Sequence, residues 1–172
     1  MIRNLFILIL IGILAPSCNR KVPEIPTAQP DEESMMAVNR FLVEKDIELI
    51  ESYIDRRNWN MERTDFGYWM GIIDQGNGRE IKKGDVLTVA FRESLLDGTV
   101  CYSSETSGPR RLVTGQGKNI LGLEEGLTQL HEGDSAVFIF PPNLAYGLPG
   151  DGDRVPRRAI IVYEVRILDI LD

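Results

Sequence analysis

The segment Asn119–Leu130, NILGLEEGLTQL, decides the fold that we predict for this chain. Its apolar residues recur every three or four positions, which places them on one stripe of a helix: Ile120, Leu123, Leu127 and Leu130. Gly133 follows shortly afterwards and is a typical helix end. The sequence therefore predicts one short helix, and its apolar stripe requires a surface to pack against.

The segments around this helix alternate apolar and polar residues, as half-buried β-strands do. Within Val86–Leu96 three apolar side chains share one face: Leu87, Val89 and Phe91. The dipeptide Asp97-Gly98 then turns the chain back as a hairpin. The other alternating segments are 66–73, 136–140 and 161–167, and a loop rich in Gly and Pro covers 143–158. Mostly antiparallel strands and one short central helix predict an α+β fold with a sheet wrapped over the helix.

Residues 31–59 contain no glycine or proline and predict a separate N-terminal helix. Acidic residues at its start suit the positive end of the helix dipole, and Ser34 is a candidate cap. Its apolar face is broad, which allows two alternatives. The helix packs on its own domain, residues 60–172, or it forms a homodimer through residues 34–58, and the sequence does not separate the two.

The N-terminal residues differ from the rest of the chain. Residues 5–14, LFILILIGIL, form an apolar run that is shorter than the roughly 20 residues needed to cross a bilayer. The run and the small residues after it predict a signal peptide over 1–17. Cys18 then resembles the acylated cysteine of a bacterial lipobox, and the proline-rich residues 18–30 predict a tether. We therefore expect a lipid anchor at Cys18 and a location in the cell envelope, on the periplasmic face of the outer membrane.

Composition and motif spacing disfavour several classes of function. The net charge is −7 and no cluster of Lys and Arg is present, so we expect no nucleic-acid partner. His131 is the only histidine and has no second ligand at metal-binding spacing, so we expect no metal and no cofactor. A nucleophile pair of Cys101 and His131 is conceivable from residue types alone, and nothing local supports it. The acidic pair Glu124-Glu125 is interpreted as a solvated helix face.

The order of short motifs points to a known family. They are KGDVLTVAF at 83–91, LLDG at 95–98, SS at 103–104, GP at 108–109, ILGLEEGL at 120–127, GD at 133–134, LAYG at 144–147, VP at 155–156 and IVYEVRIL at 161–168. From about residue 64 to residue 172 the chain resembles the FKBP family of peptidyl-prolyl cis-trans isomerases. With its N-terminus it resembles envelope lipoproteins of that family, which include isomerases associated with gliding motility. The resemblance implies a curved antiparallel sheet around a short helix.

The resemblance also implies a pocket between the helix and the concave face of the sheet. It assigns catalytic positions to Tyr146, whose hydroxyl donates to a substrate carbonyl, and to the aromatic residues Phe91 and Tyr163. It assigns substrate contacts to a further set: Cys101, Tyr102, Ile120, Leu123 and Val155. The implied partners are unfolded or extended polypeptides that contain proline.

Four positions depart from the family pattern. Cys101 replaces a pocket phenylalanine, and Tyr102 replaces the aspartate that usually follows it. Leu123 replaces the tryptophan of the pocket floor, and Arg110 falls about where another aromatic residue is usual. These changes leave two hypotheses: a prolyl isomerase that assists folding of envelope proteins, and a proline-binding chaperone or assembly lipoprotein with little or no turnover.

Overall fold

A computed structural model describes residues 31–171. The strands are β1 (Glu62–Arg63), β2 (Trp69–Asp74), β3 (Val86–Leu95), β4 (Val100–Ser103), β5 (Arg110–Val113), β6 (Ser135–Phe140) and β7 (Ile161–Leu171). The helices are α1 (Glu32–Arg57), α2 (Ser104–Ser107) and α3 (Leu121–Gly126), with 3₁₀ turns at Leu127–Gln129 and Pro142–Leu144. The predicted signal peptide, tether and lipidated Cys18 lie outside the described residues.

One antiparallel sheet organises the domain. Its strands lie in the order β1-β2-β6-β7-β3-β4, and β5 also pairs with β3. The long central pair, β3 and β7, sets Phe91 opposite Val165 and Glu93 opposite Tyr163. The sheet, the short α3 and the separate α1 confirm the predicted α+β architecture.

Both faces of the sheet are covered, and alternation along the strands decides which side chain meets which helix. In β6, Ala136, Phe138 and Phe140 join the core cluster that contains α3. Val137 and Ile139 point to the opposite face and pack with α1. Strand β6 is therefore buried almost throughout, in agreement with the unbroken apolar run at 136–140.

Two glycines allow α3 to lie close against the sheet. A Cβ atom added at Gly122 would lie 2.3 Å from Cδ1 of Phe140, and one at Gly126 would lie 2.7 Å from Cε1 of Phe138. Both contacts are shorter than real carbon contacts allow. The helix therefore approaches β6 at a distance that other residues would prevent, which buries Leu123 and Leu127.

Helix α1 packs on the outer face of the sheet with its C-terminal half. Ile50, Tyr53 and Ile54 are buried there. Asp46 accepts a hydrogen bond of 2.5 Å from the guanidinium of Arg158, which ties the helix to the loop before β7. Burial raises the pKa of Asp46, and the charge of Arg158 opposes that rise. The C-terminal half of α1 therefore packs on its own domain, which is the first of the two alternatives that the sequence left open.

The N-terminal half of α1 has a different environment. Its cap is Asp31, whose carboxylate accepts the Ser34 N–H at 2.7 Å, so the assignment of the cap to Ser34 was wrong. Several of its apolar side chains are exposed, with Phe41 at 63%. The others are Met35, Met36, Val38 and Val43. Within residues 31–171, no helix has the length and apolar content that a membrane span requires.

Candidate functional site

A cavity of about 330 Å³ opens between α3, the loop after β6 and the concave face of the sheet. Its lining contains apolar, aromatic and charged side chains: Glu93, Arg110, Lys118, Asn119, Ile120, Leu121, Leu123, Ala145, Tyr146 and Tyr163. Four of the predicted site residues therefore share this wall: Ile120, Leu123, Tyr146 and Tyr163. The wall combines residues of β3, β5, α3 and β7, which are far apart in the sequence.

Stacked rings form the aromatic side of the site. The rings of Phe91 and Tyr163 lie 5.9 Å apart and 12° from parallel, and both are buried. Arg110 places its guanidinium carbon 4.3 Å from the centre of the Phe91 ring. The resemblance sets another aromatic residue at about the position of Arg110. Here the guanidinium of Arg110 instead covers an aromatic ring. Phe91 itself is fixed because its backbone N–H donates to Ser104 Oγ at 3.0 Å.

The entry to α3 is held by Glu124. Its carboxylate accepts hydrogen bonds from three backbone N–H groups, those of Gly115 at 2.6 Å, Lys118 at 3.2 Å and Asn119 at 3.1 Å. Burial raises the pKa of Glu124, but these hydrogen bonds outweigh it, and the pKa is lowered overall. Glu124 thus anchors the segment that carries Ile120 to the cavity, and its interpretation as part of a solvated face was wrong.

Tyr146 is presented by the loop after β6. The Gly147 N–H donates to the Pro142 carbonyl at 2.7 Å, and Gly147 has φ +67°, a conformation that favours glycine. Tyr146 and the Glu93 carboxyl line the same cavity wall. Burial raises the pKa of Tyr146 far above its usual range, and the negative charge of Glu93 adds to the rise. Tyr146 is therefore a neutral hydrogen-bond donor.

Glu93 is the site residue that the sequence reasoning missed. Its side chain is 1% exposed, and its Oε1 atom has no hydrogen-bond partner among residues 31–171. Burial raises its pKa, the nearby hydroxyl of Tyr146 and the charge of Arg110 lower it, and the charge of Asp151 raises it further. The available signal was the alternation of β3, since Glu93 comes two residues after Phe91 and thus points to the same apolar face.

Tyr163 contributes a second buried polar atom to the cavity. Its hydroxyl oxygen has no hydrogen-bond partner within the described part of the chain. Burial raises the pKa of this phenol, so it is neutral at physiological pH. A carboxyl from Glu93 and two phenols, of Tyr146 and Tyr163, thus meet within one wall.

Cys101 and Tyr102 lie beside the cavity and fasten the long loop. The Cys101 carbonyl accepts a hydrogen bond of 3.1 Å from Nη1 of Arg154, and the Cys101 thiol lies 3.6 Å from the Arg154 carbonyl oxygen. The Tyr102 hydroxyl donates to the Asp151 carboxylate, which raises the pKa of the phenol to about 12. Asp151 also accepts the Val155 N–H at 2.8 Å. Direct contact of Cys101, Tyr102 and Val155 with substrate stays a prediction.

The carboxyl group in the cavity belongs to Glu93, and position 102 does not supply one. Tyr102, which the resemblance sets at the position of a family aspartate, donates to the loop carboxylate of Asp151. The carboxyl in the cavity comes from β3, through Glu93. Cys101 is buried, and burial together with the negative charge of Glu93 raises its pKa, which is the opposite of an activated thiolate.

The described residues contain no group of three His, Cys, Asp or Glu side chains that could hold a metal ion. The site offers binding surface, two neutral hydroxyl groups and one buried carboxyl.

Comparison with known proteins agrees with this geometry. The family described as FKBP-type peptidyl-prolyl cis-trans isomerase matches residues 77–168, which is more than half of the chain. The chain belongs to this family. The matched region contains β3, α3, the Tyr146 loop and almost all of β7, and so every element that lines the cavity.

Individual relatives support the same assignment. The chain is 31% identical over 157 residues to the probable FKBP-type peptidyl-prolyl cis-trans isomerase FkpA of Neisseria meningitidis serogroup B, covering 81% of this chain and 57% of that protein. It is 36% identical over 91 residues to human peptidyl-prolyl cis-trans isomerase FKBP9, covering 52% of this chain and 16% of that protein. The chain thus spans little more than half of the first of these relatives and a small part of the second.

A solved structure shows the same fold. The crystal structure of FkpA from Escherichia coli matches with a TM-score of 0.64 at 22% identity, covering 83% of this chain and 74% of that one. At this identity the likeness shows the fold, and the function must be argued from the site.

Proposed function

We propose that this protein is a peptidyl-prolyl cis-trans isomerase that binds Xaa-Pro segments of unfolded or extended polypeptides in the cavity. The observation that carries the proposal is the composition of the cavity wall. Ile120, Leu123 and the ring of Tyr163 supply apolar surface, and Tyr146 supplies a neutral hydroxyl at its edge.

Such a wall suits amide rotation, which needs no nucleophile. The uncatalysed barrier is about 18–20 kcal/mol because rotation breaks the resonance of the peptide bond. The twisted amide has a less polar carbonyl than the planar one, so an apolar cavity stabilises it relative to the planar ground state. Stabilising the transition state more than the ground state is what accelerates a reaction.

Each wall residue has a distinct role in this proposal. Leu123 forms the floor under the proline ring, and Tyr163, on which Phe91 stacks, forms the aromatic side. The hydroxyl of Tyr146 donates to a carbonyl of the bound segment and holds it while the bond turns. Cys101, Tyr102 and Val155 set the position of the loop that closes one side of the cavity.

The test is a prolyl isomerisation assay with the full chain purified in detergent and a short Xaa-Pro peptide. We expect a rate above the spontaneous one, and a loss of that excess when the peptide is replaced by one that lacks proline. Isomerisation at the spontaneous rate, by a protein whose circular dichroism shows intact structure, would refute the enzymatic function.

The second candidate is a proline-binding chaperone or assembly lipoprotein with little turnover. The observation that favours it is the polar part of the cavity lining, which includes Glu93, Arg110 and Lys118. A floor of Leu123 is also smaller than the usual tryptophan. Peptide binding without acceleration would distinguish this candidate from the enzyme.

We also propose a lipid anchor at Cys18 and a location in the cell envelope, on the periplasmic face of the outer membrane. The apolar run at 5–14 and the cysteine that follows small residues support it. Changing Cys18→Ala is expected to move the protein from the membrane fraction to the soluble fraction. Asn19→Ala is the matched control, and a Cys18→Ala protein that stays in the membrane fraction would contradict the anchor.

Homodimerisation through residues 34–58 is the remaining proposal, and the exposed half of α1 supports it. Met35, Met36 and Val38 border an apolar groove of about 780 Å³ that also includes Leu148. We expect Phe41→Glu to convert a dimer to a monomer in sedimentation velocity, and Glu51→Lys on the same helix to leave the dimer intact. A monomeric wild-type chain would refute this proposal.

A further inference from the structure

We propose that the buried carboxyl of Glu93 and the buried hydroxyl of Tyr163 form a polar subsite for an uncharged carboxamide side chain. This side chain belongs to an asparagine or a glutamine next to the substrate proline. The inference rests on the proposed isomerase function and adds a substrate preference to the same cavity.

The first observation is a pair of buried atoms without hydrogen-bond partners. Within residues 31–171 they are Oε1 of Glu93 and the hydroxyl oxygen of Tyr163, and both residues line the cavity. Each residue is only 1% exposed, so bulk water does not serve these atoms. Buried polar atoms are nearly always paired, and leaving one unpaired is costly. Two unpaired atoms in one cavity wall therefore point to a ligand that supplies their partners.

The two residues are neighbours on one face of the sheet. Glu93 on β3 is the register partner of Tyr163 on β7. Residues directly opposite each other in an antiparallel pair have Cβ atoms about 4.5–5.5 Å apart, and their side chains project from the same face. One small ligand group therefore reaches both side chains.

The packing of the Tyr163 ring fixes the position of its hydroxyl. The ring stacks on Phe91, with centroids 5.9 Å apart and planes 12° from parallel, and it lies 6.5 Å from the ring of Phe140. The ring cannot turn toward another partner without breaking this packing. The polar group that pairs with the hydroxyl must therefore come from the bound segment.

The hydrogen-bond capacity of the pair indicates the chemistry of the ligand. An ionised carboxylate only accepts, whereas a phenol donates one hydrogen bond and also accepts. A carboxamide offers an N–H donor to Glu93 and a carbonyl acceptor to Tyr163 within one planar group. The match holds in either protonation state, because a protonated carboxyl keeps a carbonyl oxygen that accepts. An apolar side chain of the same size satisfies neither atom.

The charges of the cavity wall disfavour ionised side chains. Arg110 and Lys118 line the cavity together with Glu93. These two cations repel the side chain of a lysine or an arginine, and the carboxyl of Glu93 repels that of an aspartate or a glutamate. An uncharged carboxamide avoids both repulsions, so the wall selects it by exclusion as well as by pairing.

The test is an NMR titration of the full chain in detergent with short proline peptides. The peptides differ only in the residue next to the proline, which precedes it in one series and follows it in the other. Asparagine is compared with leucine and aspartate, which have nearly its shape, and glutamine with methionine and lysine. In at least one series we expect the asparagine peptide to have a Kd about tenfold below that of the leucine peptide, because hydrogen bonds replace unpaired atoms.

Two substitutions assign this preference to the subsite. Tyr163→Phe removes one hydroxyl and keeps the stacked ring, and Glu93→Leu removes the carboxyl. Each is expected to lower the ratio of the two Kd values at least threefold, with folding checked by circular dichroism. Tyr53→Phe and Glu164→Gln alter the same kinds of group on the outer face of the sheet, and these controls are expected to leave the ratio unchanged.

Three results would overturn the proposal. Equal affinity of the asparagine and leucine peptides in both series would mean that water alone serves the two atoms. Tighter binding of the lysine peptide than of the glutamine peptide would exclude a carboxamide subsite. A preference for asparagine that survives in both Tyr163→Phe and Glu93→Leu would place its origin elsewhere in the cavity.

Isomerisation rates measured on the same samples separate this inference from the proposed function. A preference for asparagine in Kd without any acceleration supports the subsite and refutes the isomerase. Acceleration that is equal for peptides of equal affinity refutes the subsite and leaves the isomerase in place.

Discussion

Replacing Gly122 by alanine tests the close packing that shapes the cavity. The added Cβ would lie 2.3 Å from Cδ1 and 2.6 Å from Cε1 of Phe140, so this contact must open to about 3 Å or more. The Phe140 ring cannot swing aside, because it is fully buried and lies 5.6 Å from the rings of both Phe138 and Tyr68. Helix α3 must therefore move away from β6.

The size of the effect follows from two opposing contributions. Overpacking of a core costs about 1–3 kcal/mol in the free energy of unfolding. Alanine in place of glycine within a helix returns about 1 kcal/mol. Because a contact of 2.3 Å is far too short, we expect a cost in the upper part of the overpacking range, about 2–3 kcal/mol. The net expectation for Gly122→Ala is then a loss of about 1–2 kcal/mol, and hence a Tm lowered by roughly 2–8 °C for a chain of this size.

The assay is thermal unfolding of the full chain followed by circular dichroism, with Glu125→Ala on the same helix as the control. The control is expected to change the Tm by about 1 °C or less, because Glu125 is only half-buried and such a helix position tolerates alanine. The KM for a proline peptide is expected to rise in Gly122→Ala, since Ile120 and Leu123 move with the helix. A Tm of Gly122→Ala equal to or above that of the wild type would refute the packing argument.

Three further predictions concern the polar groups of the site. Tyr146→Phe is expected to lower kcat/KM about tenfold with an unchanged Tm, measured by the same two assays, and equal activity would remove the assigned role of the hydroxyl. Because burial raises the folded-state pKa of Glu93, its contribution to stability is complete below the unfolded pKa and is lost as the pH rises through the folded value. Glu93→Gln is therefore expected to have a higher urea midpoint than the wild type at pH 8 and a similar one at low pH, and the reverse order would contradict the raised pKa. Tyr102→Phe is expected to lower stability by about 1 kcal/mol and to speed proteolysis within residues 151–155, since the loop loses its bond to Asp151, and Tyr53→Phe on the outer face serves as the control.

The secondary structure was largely predictable because local patterns carry it. The stripe in 119–130 predicted a helix, and α3 with its 3₁₀ turn occupies Leu121–Gln129. The helix predicted over 31–59 is observed as Glu32–Arg57. These elements form where the spacing of apolar residues repeats over short distances, so neighbouring residues are sufficient to identify them.

The element that covers the second face of the sheet was not predictable from the same patterns, although the unbroken apolar run at 136–140 is typical of a strand buried on both faces. Val137 and Ile139 in β6 are buried by α1, a helix almost a hundred positions away in the sequence. The sequence left open whether α1 packs on its own domain, because an apolar face indicates that a helix packs and does not indicate its partner. The answer required the position of the helix on the sheet.

Two acidic residues, Glu124 and Glu93, also show that a sequence pattern identifies an element and not the contacts of its side chains. Glu124 was interpreted as solvated because it lies on a helix beside an apolar stripe, yet it anchors the loop from Gly115 to Asn119. Glu93 lies on the apolar face of β3, and alternation alone would have marked it as unusual. A charged residue on such a face is a signal for a functional site, since burial of an unpaired charge is costly.

By itself, the sequence determined the order of helices and strands, the family, and the identity of the groups available to the site. Only the tertiary structure decided which of these groups meet. Glu93, Arg110, Tyr146 and Tyr163 come from three strands and a loop, and their hydrogen bonds and charges depend on distances across the fold. The physical reason is that periodicity reports a residue's own element, whereas the meeting of Tyr146 and Glu93 in one cavity wall depends on how those elements pack.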